Sequence, residues 1–323
     1  MAPIVDALAF SLPIALCCLS ICVSFRMLRF PDLGLTGAFI IGTYSYAVAL
    51  LHRDSIPWAV GAMIIAGAAA GALTGYLHYG LRLNSLLAGI TTYYVFRSLA
   101  ARLALNFNPH GGFSPVVDFE SQRGVGRLLT NFMPWTDRVL SGRGLPYPHA
   151  ILSALLMVVA SAGLAWFART RLGIVLRAFG DNREAAIEGN FPVLKLGVVG
   201  LMISSVLAAT GGAALMFTNA HASIDSGNSI LLESFAAFFL GDSLARSVSR
   251  SVVYRYTGRQ IVVTALCGTA IYSFLRNVTQ VLATRVSWLE ATDYGFGFAV
   301  MLVLVGVMSN RDEGKLPRPV PIY

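Results

Sequence analysis

Five polar or ionisable side chains stand within or at the ends of otherwise apolar stretches of this chain: Asp32, Asn84, Arg97, Glu233 and Arg276. Arg97 lies 13 residues beyond Asn84, about 20 Å along a helix at ~1.5 Å per residue. Arg276 is 16 residues beyond Gln260, and Glu233 lies near the start of the apolar run 229–241. An arginine deep in hydrocarbon costs at least ~2.5 kcal/mol, so such groups need partners or a path outward. Two chemistries fit. The charges could form a polar patch that recognises a charged solute, or Glu233 could pair with Arg97 or Arg276 as structural glue, the reading favoured here. Asp32 follows Pro31 just ahead of an apolar run, where a carboxylate caps exposed N–H groups more readily than it contacts a solute.

Covalent chemistry finds no support. His52, His78, His110, His149 and His221 are scattered, and no H-E-x-x-H or paired-cysteine motif occurs. The two lysines, Lys195 and Lys315, end no G-x-x-x-x-G-K-[ST] loop. No catalytic or metal-binding residues are assigned and no cofactor is expected on this chain. ATP, if used, is bound elsewhere.

The setting of these residues is a bilayer. The chain has 323 residues, 56% hydrophobic and 12% charged, with mean hydropathy +0.67. A soluble domain carries about a quarter charged residues. Cys17, Cys18, Cys22 and Cys267 lie inside apolar stretches, as packed thiols do. The net charge of +8 does not point to nucleic acid, because the basic residues sit in short connections between spans.

A span needs roughly 20 apolar residues. The chain reads as an all-α bundle of about nine membrane segments, near 4–24, 34–51, 57–78, 85–105, 148–168, 193–217, 229–241, 260–283 and 294–309. The run 229–241 is short, and either crosses as part of a tilted or broken helix or is re-entrant. Met1–Ser24 lacks the basic flank and small-residue cleavage site of a signal peptide and reads as a retained span. If 229–241 crosses, one set of connections holds fifteen Lys and Arg and the other six, which places the first set and the C-terminus in the cytoplasm. Gly67, Gly71 and Gly75 make a small-residue strip on the third span, a face for close helix packing within the bundle or at a subunit contact. No sequence repeat is evident.

Two connections are long. The outer loop 106–147 carries Val125, Leu128, Leu129, Phe132 and Met133 at helical spacing, which suits a short surface helix. Its Arg123, Arg127, Arg138 and Arg143 break the charge bias and are candidates for docking an outside partner. The inner connection 169–192, RTRLGIVLRAFGDNREAAIEGNFP at its core, is amphipathic. The whole chain, 1–323, reads as a single transmembrane domain.

These stretches resemble a known family. SFRMLRFPDLGLTGAFIIGTYSYAV (24–48), LNSLLAGITT (83–92) and TRLGIVLRAFGDNREAAIEGNFPVLKLGVVGLMISSVLAATGGAAL (170–215) are similar to permease subunits of bacterial ABC importers, in the branch of the branched-chain amino acid and tryptophan/tyrosine-type permeases. The resemblance runs from about 20 to 309. It implies a type II importer-like fold and a cytoplasmic segment that docks into an ATPase. The R-A-x-G-x-N-x-x-x-A pattern falls on Arg177, Ala178, Gly180, Asn182 and Ala186, followed by Glu188 and by Gly189 or Asn190. It further implies a second permease subunit, ATPase chains holding ATP and Mg, an outside solute-binding protein, the bacterial inner membrane, and a small polar solute such as an amino acid moved by alternating access. Glu233 departs from the family, which is apolar there, and 243–260 is unusually rich in arginine. An ion-coupled transporter or channel would instead need a midplane carboxylate and no partner ATPase. A membrane-embedded enzyme would need clustered acid, base or metal groups.

Overall fold

The computed structural model describes residues 2–53, 55–105, 116–118, 148–181, 186, 188–189, 191–219, 221–248 and 258–283. The last expected span, 294–309, the surface helix expected near 125–133 and the four outer-loop arginines lie outside the described residues. The described chain is nearly all helical. Its helices are α1 (Ala2–Ile21), α2 (Leu35–Arg53), α3 (Ile56–Gly75), α4 (Ser85–Ala104), α5 (Pro148–Phe167), α6 (Arg171–Asp181), α7 (Val193–Asn219), α8 (Ser226–Val248) and α9 (Gly258–Ala283). Two three-residue strands, β1 (Val116–Asp118) and β2 (His221–Ser223), pair antiparallel with Val117 opposite Ala222. They tie one point of the connection 106–147 to the turn ahead of α8.

Pro57–Gly80 and Val193–Met216 are each long and apolar enough to cross a membrane. The run 229–241 is not a separate short element. It is the middle of α8, a continuous helix of 23 residues, about 34 Å at ~1.5 Å per residue. Its polar ends hid that length from a reading based on hydrophobicity.

α7 is the central helix, packed against α1, α2 and α3. The glycine strip of α3 explains part of this. A Cβ at Gly71 would overlap the Leu201 carbonyl, and one at Gly75 would stand 2.8 Å from Val198 Cα. The strip therefore serves packing inside this chain, where small residues let helix backbones meet. Reciprocal bonds fasten α1 to α7: Ser20 Oγ donates to the Ser204 carbonyl at 2.7 Å and Ser204 Oγ to the Ser20 carbonyl at 2.9 Å. α8 and α9 form a second close pair, in which Gly268 has no room for a side chain against the Ala237 carbonyl. Both contact α1.

The connections α1–α2 and α3–α4 share one construction that the sequence did not reveal. Each helix widens into a π-type turn, Cys22–Met27 and Tyr76–Gly80. The amides of Leu28 and Leu81 then reach back to Val23 and Tyr76, and those of Phe30 and Leu83 to Ser24 and Leu77. Between them Arg29 and Arg82 take left-handed φ of 51° and 58°. Asp32 and Asn84 next accept the amides of Gly34 and Leu86 to start α2 and α4.

Candidate functional site

The connection 169–192 turns a sharp corner after α5. α5 ends at Phe167, and after a three-residue turn α6 sets off at 76° to it. Thr170 holds the corner: its hydroxyl donates to the Phe167 carbonyl at 2.6 Å and accepts the Gly173 amide at 3.3 Å. Arg177 locks it, donating to the Ala168 carbonyl at 2.6 Å. The guanidinium thus satisfies an orphan carbonyl at the end of α5. Leu176 and Phe179 are buried. Gly180 sits directly on the Met27 carbonyl, where a Cβ would overlap it. The outer face of α6 presents Arg171, Ala178 and two large apolar side chains, Leu172 and Ile174, each 53% exposed.

Of the six expected coupling residues, Arg177 and Gly180 therefore point into the protein and Ala178 points out. Ala186 is buried and Glu188 exposed, while Asn182 lies outside the described residues. Leu172 and Ile174 were not singled out from sequence, although two apolar residues on the solvent side of an amphipathic stretch were the available signal.

Asp32 lies in the α1–α2 connection, beside Gly34 and Thr74. It is fully buried, with Oδ1 accepting the Gly34 amide at 2.7 Å, the capping role expected of it. Oδ2 is buried with no hydrogen-bond partner among the described residues. Thr74 and Thr92 close the other side of Gly34, whose Cβ, if present, would lie 2.9 Å from both Asp32 Oδ1 and Thr74 Oγ1. The two threonines are linked at 3.0 Å. Burial raises the Asp32 carboxyl above the ordinary carboxylate range, and the Gly34 N–H offsets part of this. Asn84 is an exposed helix cap, accepting the Leu86 amide at 3.3 Å.

The charged groups farther along the helices form two separate pairs. Arg276 of α9 donates to Glu233 Oε2 of α8 at 2.9 Å, with side-chain exposures of 24% and 10%. The expected partner of Glu233 is thus found. Arg97 goes elsewhere: it donates to Tyr93 Oη at 2.7 Å and to Asp225 Oδ1 at 2.9 Å, and Asn228 donates to the same phenol at 3.2 Å. A third pair joins Arg26 to Asp242, with Arg26 also 5.5 Å from the Phe238 ring centroid. Asp225 and Asp242 were missed from sequence. Asp242 is the single acid between Glu233 and Glu290, which marks it in a stretch otherwise rich in arginine. α8 thus holds two buried carboxylates, each answered from a different helix. Among the described residues, no cluster of three or more His, Cys, Asp or Glu could hold a metal.

Residues 4–305 match the family described as branched-chain amino acid transport system / permease component. The chain belongs to that family. It is 23% identical to the tyrosine transport system permease protein of Clostridioides difficile, over 85% of this chain and 82% of the relative. It is 26% identical to the ribose import permease protein of Escherichia coli K12, over 79% of this chain and 69% of the relative. With the nucleoside ABC transporter permease protein of Lactococcus lactis it shares 28% identity over 56% of this chain and 57% of the relative. No solved structure matches it. The chain is a membrane permease of the ABC type for a small solute, a transport subunit rather than an enzyme.

Proposed function

We propose that this permease is the membrane subunit of an ATP-driven importer and that α6, with the segment up to Glu188, receives the stroke of a separate ATPase chain. One observation carries the reading: α6 is a short helix turned 76° from α5, seated without a side chain on the Met27 carbonyl, and apolar on its exposed face. Force on Leu172, Ile174 and Ala178 would pass through Gly180 to the α1–α2 connection and through Arg177 to α5. A rigid element with contacts to two spans is what transmission between domains requires. ATP and Mg belong to the partner in this reading.

The full assembly would be two permease subunits of about nine segments each, two ATPases and an outside solute-binding protein, in the bacterial inner membrane with the C-terminus cytoplasmic. Asp32, Asn84, Arg97, Glu233 and Arg276 are the pathway candidates, and Arg123, Arg127, Arg138 and Arg143 the candidates for binding-protein docking. The similarity to a tyrosine permease favours an amino acid or related polar solute. The Arg97–Asp225 pair, with side chains 37% and 63% exposed, offers a cation and an anion that such a solute could engage. The test is co-purification of the ATPase with Leu172→Glu, Ile174→Glu and Ala178→Arg variants. Loss of the ATPase with normal insertion is expected. Undiminished association in all three would overturn the assignment.

A further inference from the structure

α5 and α7 run side by side without closing on each other. Between them lies a cleft of about 500 Å³. Its walls are stripes at helical spacing, Gly163, Leu164 and Phe167 on α5 facing Val199, Ile203 and Val206 on α7, with α3 as the floor. A Cβ at Gly163 would meet nothing within 4 Å, so the space is open rather than a packing seam.

Beyond the Phe167 and Val199 end of the lining, the chain carries cations on both walls. Lys195 lies one turn ahead of Val199 on the same face of α7. Arg169 and Arg171 occupy the α5–α6 corner, just beyond Phe167. All three are exposed, and none has an ion-pair partner among the described residues. The N-terminus of α6 opens at the same corner and adds its positive dipole end. Trp166, 72% exposed, stands beside it on the last turn of α5, as indoles do at the level of lipid headgroups.

An apolar slot flanked by cations that have no ion-pair partner among the described residues, with an exposed indole beside them, matches one ligand class. We propose that the α5–α7 cleft seats an acyl chain of an anionic phospholipid whose phosphate is held by Lys195, Arg169 and Arg171. Zwitterionic lipid could fill the slot but would gain little from the three cations, whereas basic pockets between membrane helices select anionic headgroups. Such a lipid would brace the corner from which α6 departs. The inference needs the chain to lie in a bilayer, and it is independent of what α6 docks.

The test uses Trp166 as reporter, with Trp58, Trp135 and Trp288 replaced by Phe, in phosphatidylcholine nanodiscs containing a minor fraction of either brominated phosphatidylglycerol or brominated phosphatidylcholine. Phosphatidylglycerol should quench with a clearly higher apparent affinity. Lys195→Gln and Arg169→Gln should each lower that preference on the order of fivefold, as expected for about one cation at the surface, and salt should weaken it. Gly163→Leu, which fills free space, should reduce quenching while the cations remain. If the triple Trp replacement unfolds the protein, native mass spectrometry of the unaltered chain should retain phosphatidylglycerol, and Lys195→Gln with Arg169→Gln should shed it. Equal quenching or retention of both lipids would mean ordinary boundary lipid. Quenching by neither would mean that 294–309 or a second copy covers the cleft. Either result overturns the proposal.

Discussion

Removing Arg276 should cost more stability than removing Glu233, although the two are partners in one ion pair. The Glu233 side chain is 10% exposed and that of Arg276 is 24% exposed. Breaking a buried pair costs about 3–5 kcal/mol, because the remaining charge loses its partner without regaining water. Arg276→Gln removes the counter-charge of the more deeply buried carboxylate, leaving it the Tyr272 hydrogen bond, and belongs near ~3 kcal/mol, the low end of that range. Glu233→Gln removes the counter-charge of a guanidinium whose longer, partly exposed stem can turn outward, so its cost should fall to about 1–2 kcal/mol. The double variant leaves no charge behind. Its loss should be smaller than the sum of the two by roughly 1–3 kcal/mol, the coupling expected of contacting residues. The assay is reversible unfolding in mixed micelles, with solute transport measured in parallel on reconstituted protein. Additive losses, or a Glu233 variant weaker than the Arg276 variant, would refute the burial argument. Unchanged solute preference in Glu233→Gln would identify the pair as glue between α8 and α9. Altered preference with little change in stability would instead make it a selectivity element.

Three further outcomes follow from the packing. Gly180→Val should lift α6 from the Met27 carbonyl and abolish transport and coupled ATP turnover while the protein still inserts; normal coupled turnover would refute the lever. Asp32→Asn should flatten a pH dependence of stability. A buried carboxyl with a raised pKa binds its proton more tightly when folded, so wild-type stability should fall as pH rises from the unfolded carboxylate value, about 3.9, towards the folded one, whereas the Asn variant should not show that fall. Charge reversal of Arg127 and Arg143 should slow capture of the binding protein at low salt and matter less at high salt; unchanged capture would leave those arginines to lipid headgroups.

Helices were legible in the sequence because apolar runs of that length fold as helices, and eight of the nine expected segments coincide with helices of the described chain, although among the described residues only two of them, or three with the bent pair α5–α6, are long and apolar enough to cross a membrane. What stayed hidden depends on distance in space. The partners of Arg97 and Arg26 are Asp225 and Asp242, 128 and 216 positions away, and no local spacing announces either. The π-type turns were equally invisible, since a widened helix turn keeps the same apolar composition as an ordinary one. Even the strip Gly67–Gly71–Gly75 disclosed only that some helix approaches, and the structure had to supply α7 as the neighbour.

The inner connection shows the more instructive limit. Its motif was found through resemblance, and a motif invites the assumption that its residues touch the partner. Here the guanidinium of Arg177 is spent on the Ala168 carbonyl, and Gly180 is small because Met27 lies against it. Both residues serve the seating of α6 within its own chain. The surface left for a partner is Leu172, Ile174 and Ala178, which the motif mostly omits. If α6 does receive force, the motif describes how the lever is mounted, and the exposed face describes what pushes it. The two groups of variants should then separate: changes at Arg177 and Gly180 should leave the ATPase bound but uncoupled, whereas changes at Leu172 and Ile174 should release it. Release by the first group alone would reverse these roles.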